Sequence, residues 1–226
     1  MVAVARNARG FTIVEMTFAL GISALLFGLA LPVMTSVLTE YRQEVARGNL
    51  AELKAAIRRY CQDTGILCTA LANLAAANNV TGWSGPYVAP TNDDAANSSA
   101  LPLDPWGHGF TWLPSGLRCG TLTCLGGNGV NDAGAGDDIT TSVDVTDILR
   151  EKTLLEVAKL NQAIEVYNKI NLPTTFLPSN ITTLVTTLIA GGFLFGSVLD
   201  WTTDAFGSTY VPGPAPVQQV TVANLP

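Results

Sequence analysis

The chain has 226 residues, 48% of them hydrophobic and only 13% charged, against roughly 25% charged in an average soluble domain. Twelve Lys and Arg face 18 Asp and Glu, and no basic residue follows Lys169. A phosphate-binding track therefore has little to be built from, and no nucleic-acid binding is expected. One histidine, His108, leaves few ingredients for a His-ligated metal centre or a His-based triad, and Ser115 and Ser208 lack a Gly-x-Ser-x-Gly context. An enzyme is not expected.

Residues 11–33 read FTIVEMTFALGISALLFGLALPV, with Glu15 as their only charge. As a helix this stretch spans about 34 Å, enough to cross a bilayer. Arg6 and Arg9 precede it, so the positive-inside rule places this end in the cytoplasm and the remainder outside. The rival reading, a secretory signal peptide, calls for a shorter apolar stretch ending at a small-residue cleavage site. Glu15 costs on the order of 3 kcal/mol in hydrocarbon without a partner, which makes it a functional candidate.

Leu50, Leu53, Ile57 and Tyr60 recur at helical spacing, with Arg47, Lys54, Arg58 and Arg59 for the wet sides. One helix from about Phe11 to Gln62 is predicted, kinked or locally opened at Pro32. Farther on, Asp104-Pro105-Trp106-Gly107 is strong turn chemistry: Asp caps, Pro fixes φ and Gly takes a positive φ. Trp106 is read as a core plug.

Residues 124–139 place glycines at 126, 127, 129, 134 and 136 among Asn and Asp. A backbone that can wrap, carrying hard oxygen donors, suits Ca²⁺. The spacing is neither that of an EF-hand nor that of a P-loop. Cys61/Cys68 and Cys119/Cys124 are locally spaced pairs in a region placed outside the cytoplasm. Two disulfides are expected, although four cysteines allow three pairings. No C-x₂-C framework for zinc occurs.

The helical stripe returns. Leu50, Leu53, Ala56, Ile57 and Tyr60 match Val157, Leu160, Ala163, Ile164 and Tyr167, and Asp104-Pro105-Trp106-Gly107-His108-Gly109-Phe110 is matched by Asp204-Ala205-Phe206-Gly207-Ser208-Thr209-Tyr210. Helix and turn in the same order point to duplication. Asp147 is the predicted N-cap of the second helix, after a linker over 140–146. Residues 181–199 are apolar but carry four Thr and two adjacent Gly with no basic flank, and read as soluble helix and turn.

Gly10-Phe11-Thr12-Ile13-Val14-Glu15-Met16, behind its basic leader, resembles the processing site of type IV prepilins and of the pseudopilins of type II secretion. The resemblance implies that a prepilin peptidase cuts after Gly10 and methylates the new terminus of Phe11. It further implies that Glu15 sets subunits in a helical filament, its carboxylate facing that new α-amino group on a neighbouring copy. Pro32 stands near a proline that accompanies local helix melting in pilin filaments; a tolerated transmembrane proline is the other reading. Gly85-Pro86-Tyr87 and residues 101–110 resemble, more narrowly, the major pseudopilin of type II secretion, as does the glycine-rich loop. That resemblance implies a Ca²⁺ site formed by the carbonyls of Leu125 and Val130 with Asn128, Asp137 and Asp138, Asn128 standing where the family usually has Asp. Leu172-Pro173-Thr174-Thr175 and Gly191-Gly192-Phe193-Leu194 resemble its connecting loop and turn.

The resemblance covers residues 6–63, 101–139 and 147–212. It implies an α+β, type IV pilin-like fold, a long N-terminal helix packed on a small antiparallel sheet. The expected organisation is a cleaved leader over 1–10, the helix over 11–62, a first headpiece with the calcium loop over 63–142, and a second pilin-like headpiece over 143–226. The implied function is that of a structural subunit of a type IV pilus or secretion pseudopilus. The alternative is a minor or tip subunit whose second domain binds a substrate, a surface or a partner subunit. Implied partners are the prepilin peptidase, other pilins or pseudopilins, and an inner-membrane assembly platform. The chain is placed as single-pass in the inner membrane, with its headpieces in the periplasm or cell exterior, before it joins a filament.

Overall fold

Helix α1 runs from Ile13 to Thr64. The computed structural model describes residues 12–76, 79–89, 101–172, 174–223 and 225, with the side chains of 29–32 outside the description. The chain divides into two units, 1–45 and 46–226.

In the first unit every described side chain from 12 to 42 is exposed, including Phe18 at 71% and Phe27 at 69%. α1 is the one helix among the described residues long and apolar enough to cross a membrane. An apolar surface of this kind, without protein cover, suits lipid, where a helix satisfies all its own backbone groups. The helical backbone is continuous through Pro32.

The second unit begins where α1 turns amphipathic. Ala46, Leu50, Leu53, Ala56, Ile57, Tyr60 and Cys61 are all buried, the face the 3–4–3 spacing predicts. They pack with Leu74 of the short helix α2 (Ala72–Ala75). Against them lies an antiparallel meander of β1 (Thr111–Ser115), β2 (Cys119–Cys124) and β3 (Ile139–Asp144), in that order. Leu122 and Val143 enter the same core.

Residues 140–146, expected as a linker, are largely β3, paired along its whole length with β2 from Cys119↔Asp144 to Cys124↔Ile139. Thr, Ser and Val have the side chains a half-buried strand takes, and Lys54 Nζ donates to the Ser142 carbonyl at 2.8 Å. Helix α3 spans Thr146–Asn171. Asp147 is not its N-cap: Val145 holds that place, the Asp144 carboxylate accepts from Thr146 N–H at 2.8 Å, and Asp147 sits in the first turn, ion-paired with Arg58.

α3 also shows why residues 142 and 143 are not a clean division. Its first turns bury Ile148 and Leu149 in the first core, while Leu160, Ala163, Ile164 and Tyr167 enter a second core. That second core is completed by α4 (Ile181–Ala190), a 3₁₀ turn (Leu199–Trp201), and the two-stranded sheet of β4 (Val211–Pro212) and β5 (Val220–Thr221). The Asn180 side chain caps α4, accepting from Thr183 N–H at 3.1 Å.

The two cores share a ring contact at matching places, although one has a three-stranded sheet and the other a two-stranded one. Tyr60 meets Tyr87 edge-on at 5.7 Å and 71°, and Tyr167 meets Phe193 at 5.4 Å and 71°. Each core has a groove between its helix and the following loop. The first, about 250 Å³, is lined by Glu52, Arg59 and Tyr87, and the second, about 470 Å³, by Lys159, Val166 and Phe193.

Candidate cation loop and assembly residues

The Asp104 turn forms the floor of the glycine-rich loop. Asp104 is buried, and its Oδ1 accepts the N–H of Trp106 at 3.0 Å and of His108 at 2.7 Å. Gly107 takes φ +91°, as a residue without Cβ can. Trp106 packs against the first core. A Cβ on Gly127 would meet Trp106 Nε1 at 3.3 Å, and one on Gly129 would meet His108 Nε2 at 2.8 Å.

Within the loop, the carboxylates bind backbone. Asp137 Oδ2 accepts from Asn128 N–H at 2.9 Å, and Asp138 Oδ2 accepts from Asp132 N–H at 2.7 Å and Gly134 N–H at 3.1 Å. Asn128 Oδ1 accepts from Val130 N–H at 2.7 Å, and its Nδ2 donates to Asp132 Oδ2 at 2.9 Å. Asp132, absent from the expected ligand set, is thus an organising residue of the loop; its place in the Asn/Asp run was the available signal. Gly126 (φ +62°) leaves no room for a side chain, since a Cβ would lie 2.5 Å from the Asp137 carbonyl.

The structure brings Asn128, Val130 and Asp137 into one hydrogen-bonded set, with Leu125 adjoining at Gly126. Among the described residues no three His, Cys, Asp or Glu side chains converge, so a cation here would draw on carbonyl and amide oxygen as well as carboxylate. Asp138 Oδ1 is buried and accepts no hydrogen bond. A buried carboxylate oxygen left unpaired is costly, and a hard cation bound by oxygen ligands would relieve it. The residues present therefore fit Ca²⁺.

At the other end of the chain, Gly10 and Phe11 lie outside the described residues. Glu15 forms a capping box at the start of α1: its Oε2 accepts from Thr12 N–H at 2.9 Å and Thr12 Oγ1–H at 3.0 Å, and Thr12 Oγ1 accepts from Glu15 N–H at 3.3 Å. The Thr-x-x-Glu spacing was the sequence signal for it.

Of the three pairings that four cysteines allow, the one that bridges Cys119 to Cys124 does not suit the strand geometry. These residues open and close β2, five residues apart, which at about 3.3 Å per residue separates them by about 17 Å. Bridged cysteines have Cα atoms no more than about 7 Å apart. Cys124 is buried and its Sγ–H donates to Asp104 Oδ2 at 3.3 Å, while exposed Cys119 donates to the Ser115 carbonyl. Cys61 and Cys68 share the first core; all four cysteines are thiols in the structure. Burial pushes Cys61 and Cys124 up to about 11 and Cys68 up to about 12.

The family model for type II secretion system protein G matches residues 33–147. The chain belongs to this family, the major pseudopilins. The match begins at the end of the apolar run, ends three residues after β3, and takes in the whole glycine-rich loop. This pseudopilin has the long N-terminal helix and small antiparallel sheet of the pilin-like fold. Its family is structural rather than enzymatic and works in type II secretion with other pseudopilins. With the apolar start of α1, that points to membrane anchoring. No curated protein and no solved structure matches the chain.

Proposed function

We propose that this pseudopilin is made as a prepilin, cut after Gly10 by a prepilin peptidase, methylated at Phe11, held in the inner membrane by α1, and drawn into a periplasmic filament by an assembly platform. The observation that carries the reading is the union of a pseudopilin match over 33–147 with an apolar helix headed by a single acid. The Thr12–Glu15 capping box keeps that carboxylate at the helix start, where the new α-amino group of a neighbouring copy can meet it. Lipid around α1 makes an unpaired Glu15 expensive, so pairing with a neighbour fixes register.

The glycine-rich loop is proposed as a Ca²⁺ site using Asp137, Asp138, Asn128 and the carbonyls of Leu125 and Val130. Bound there, the cation would tie the start of the loop to its end and compensate the orphaned Asp138 oxygen. Of the local cysteine pairs, Cys61–Cys68 is the one retained as a proposed disulfide. Residues past 147, with their own core and repeated turn, are proposed to be a second pilin-like headpiece. Its apolar groove favours the second reading, a minor or tip subunit that contacts a substrate, a surface or another subunit.

The test is intact mass and N-terminal sequencing of the membrane-extracted protein, for wild type and Gly10→Ala. A mature chain starting at N-methylated Phe11, with the variant retained as precursor, is expected. Normal maturation of the variant would overturn the processing assignment. For the loop, the combined Asp137→Ala and Asp138→Ala variant, which also gives up three backbone hydrogen bonds, should lose more thermal stability relative to wild type in Ca²⁺ than in chelator.

A further inference from the structure

The same turn is built twice in this chain, and only one copy lies under a glycine-rich loop. At both turns an Asp side chain accepts two backbone N–H groups, and the glycine three residues on takes a positive φ. The copies differ where the first faces the loop. Trp106 and His108 stand where the second has Phe206 and Ser208.

His108 Nδ1 lies 2.9 Å from the Gly126 carbonyl. A carbonyl only accepts, so Nδ1 carries the hydrogen. The other edge of the ring lies against Gly129, whose Cβ, if it had one, would meet Nε2 at 2.8 Å and Cε1 at 3.0 Å. The imidazole therefore holds the first arm of the loop at two points, Gly126 and Gly129, that bracket Asn128. The His108 contact takes one of the two lone pairs of the Gly126 carbonyl, and the two held points adjoin the carbonyls of the proposed ligands, Leu125 next to Gly126 and Val130 next to Gly129.

From this geometry we infer that His108 is a positioning residue for the cation loop, clasping the Gly126 carbonyl and backing Gly129 so that the adjoining carbonyls of Leu125 and Val130 are set for Ca²⁺. The inference rests on the calcium reading of the loop. It makes no ligand of His108. A residue that orients ligands from behind typically changes metal affinity by about 10–100-fold when removed.

The chain itself supplies the variant for the test. Ser208 occupies the matching place in the second turn and its N–H donates to Asp204 at 2.7 Å, so His108→Ser should leave the first turn intact while removing the clasp. His108→Asn is the rescue, because its amide N–H can reach roughly where Nδ1 stands. The full-length protein in detergent micelles is titrated with Ca²⁺ by calorimetry, and its melting is followed in EGTA and in Ca²⁺.

Expected are a Kd raised about tenfold or more in His108→Ser, a substantial recovery in His108→Asn, and nearly unchanged melting of both in EGTA. An unchanged Kd in His108→Ser overturns the inference, as does a failure of His108→Asn to recover. An equal loss of melting temperature with and without Ca²⁺ also overturns it, by making the role purely structural. Wild type that binds no Ca²⁺ would instead remove the calcium reading itself, a result separate from any of these.

Discussion

Asp204 repeats through its hydrogen bonds what Asp104 does in the first head. Asp104 Oδ1 accepts at 3.0 and 2.7 Å, Asp204 Oδ1 at 2.9 and 2.7 Å, each from the residues two and four places on. They part at Oδ2: that of Asp104 takes the Cys124 thiol hydrogen, and that of Asp204 is buried with no hydrogen bond. Hydrogen bonds to a charged group contribute about 1.5–3 kcal/mol each. Asp104→Ala and Asp204→Ala should therefore each cost about 3 kcal/mol or more in chemical denaturation, and Asp204→Asn, which keeps the accepting oxygen, much less. A loss below about 1 kcal/mol in Asp204→Ala would show that the second turn is held by something else.

Glu156 gives the second core a dependence on pH. Burial raises its pKa above the usual carboxylate value, opposed by the Tyr210 hydroxyl, which donates to it at 2.9 Å, and by Lys152, whose Nζ lies 3.9 Å away; Lys159 also lowers it and Asp200 raises it. A carboxyl whose folded pKa is raised favours the folded state while protonated, and that advantage is lost as pH climbs from the unfolded value through the folded one. Glu156→Gln keeps an oxygen for Tyr210 and cannot ionise. Its melting temperature relative to wild type should therefore rise between pH 4 and pH 7. A difference flat with pH would mean Glu156 carries no such penalty.

The thiols should separate by reactivity. Thiolate, not thiol, is alkylated, and burial holds Cys61, Cys68 and Cys124 well above an ordinary thiol, whereas Cys119 is exposed. Brief iodoacetamide treatment of the reduced, folded protein at pH 8 should label Cys119 first, read by peptide mass mapping. In non-reduced digests no Cys119–Cys124 bridge should be found. Finding one would require β2 to be broken.

Much of the first head was legible in the sequence because its signals are local. The helix stripe from Leu50 to Tyr60 and the Asp-Pro-Trp-Gly turn each name their structure within a few residues, and their repetition marked the second core. β3 was missed because Thr140, Ser142 and Asp144 put polar side chains on its exposed face, leaving a segment that reads as polar linker. The local spacing of Cys119 and Cys124 misleads for a related reason. Residues five apart can meet across a turn, but along a strand each step carries them about 3.3 Å farther apart. The clasp of His108 on Gly126 joins residues 18 apart, and no pattern in either segment announces it.

Asn161 is the clearest case of a residue without a local signal, its partner lying 59 positions along the chain. In the first core, β2 is flanked by β3. In the second, the outward groups of β5 are met by a helix side chain: Asn161 Oδ1 accepts from Val220 N–H at 2.6 Å and its Nδ2 donates to the Val220 carbonyl at 3.1 Å. The amide thus takes both backbone groups of Val220 as a neighbouring strand would, and Val220 is buried. Asn161→Ala leaves both groups unpaired, a loss of about 1–3 kcal/mol for each. Asn161→Asp can still accept from the N–H but has nothing to donate to the carbonyl, so its loss should fall between those of wild type and alanine. Amide hydrogen exchange at Val220 is the readout that separates this from a general weakening. It should accelerate strongly in Asn161→Ala while amides of β2 stay protected, and uniform acceleration across both cores would mean that Asn161 acts only through overall stability.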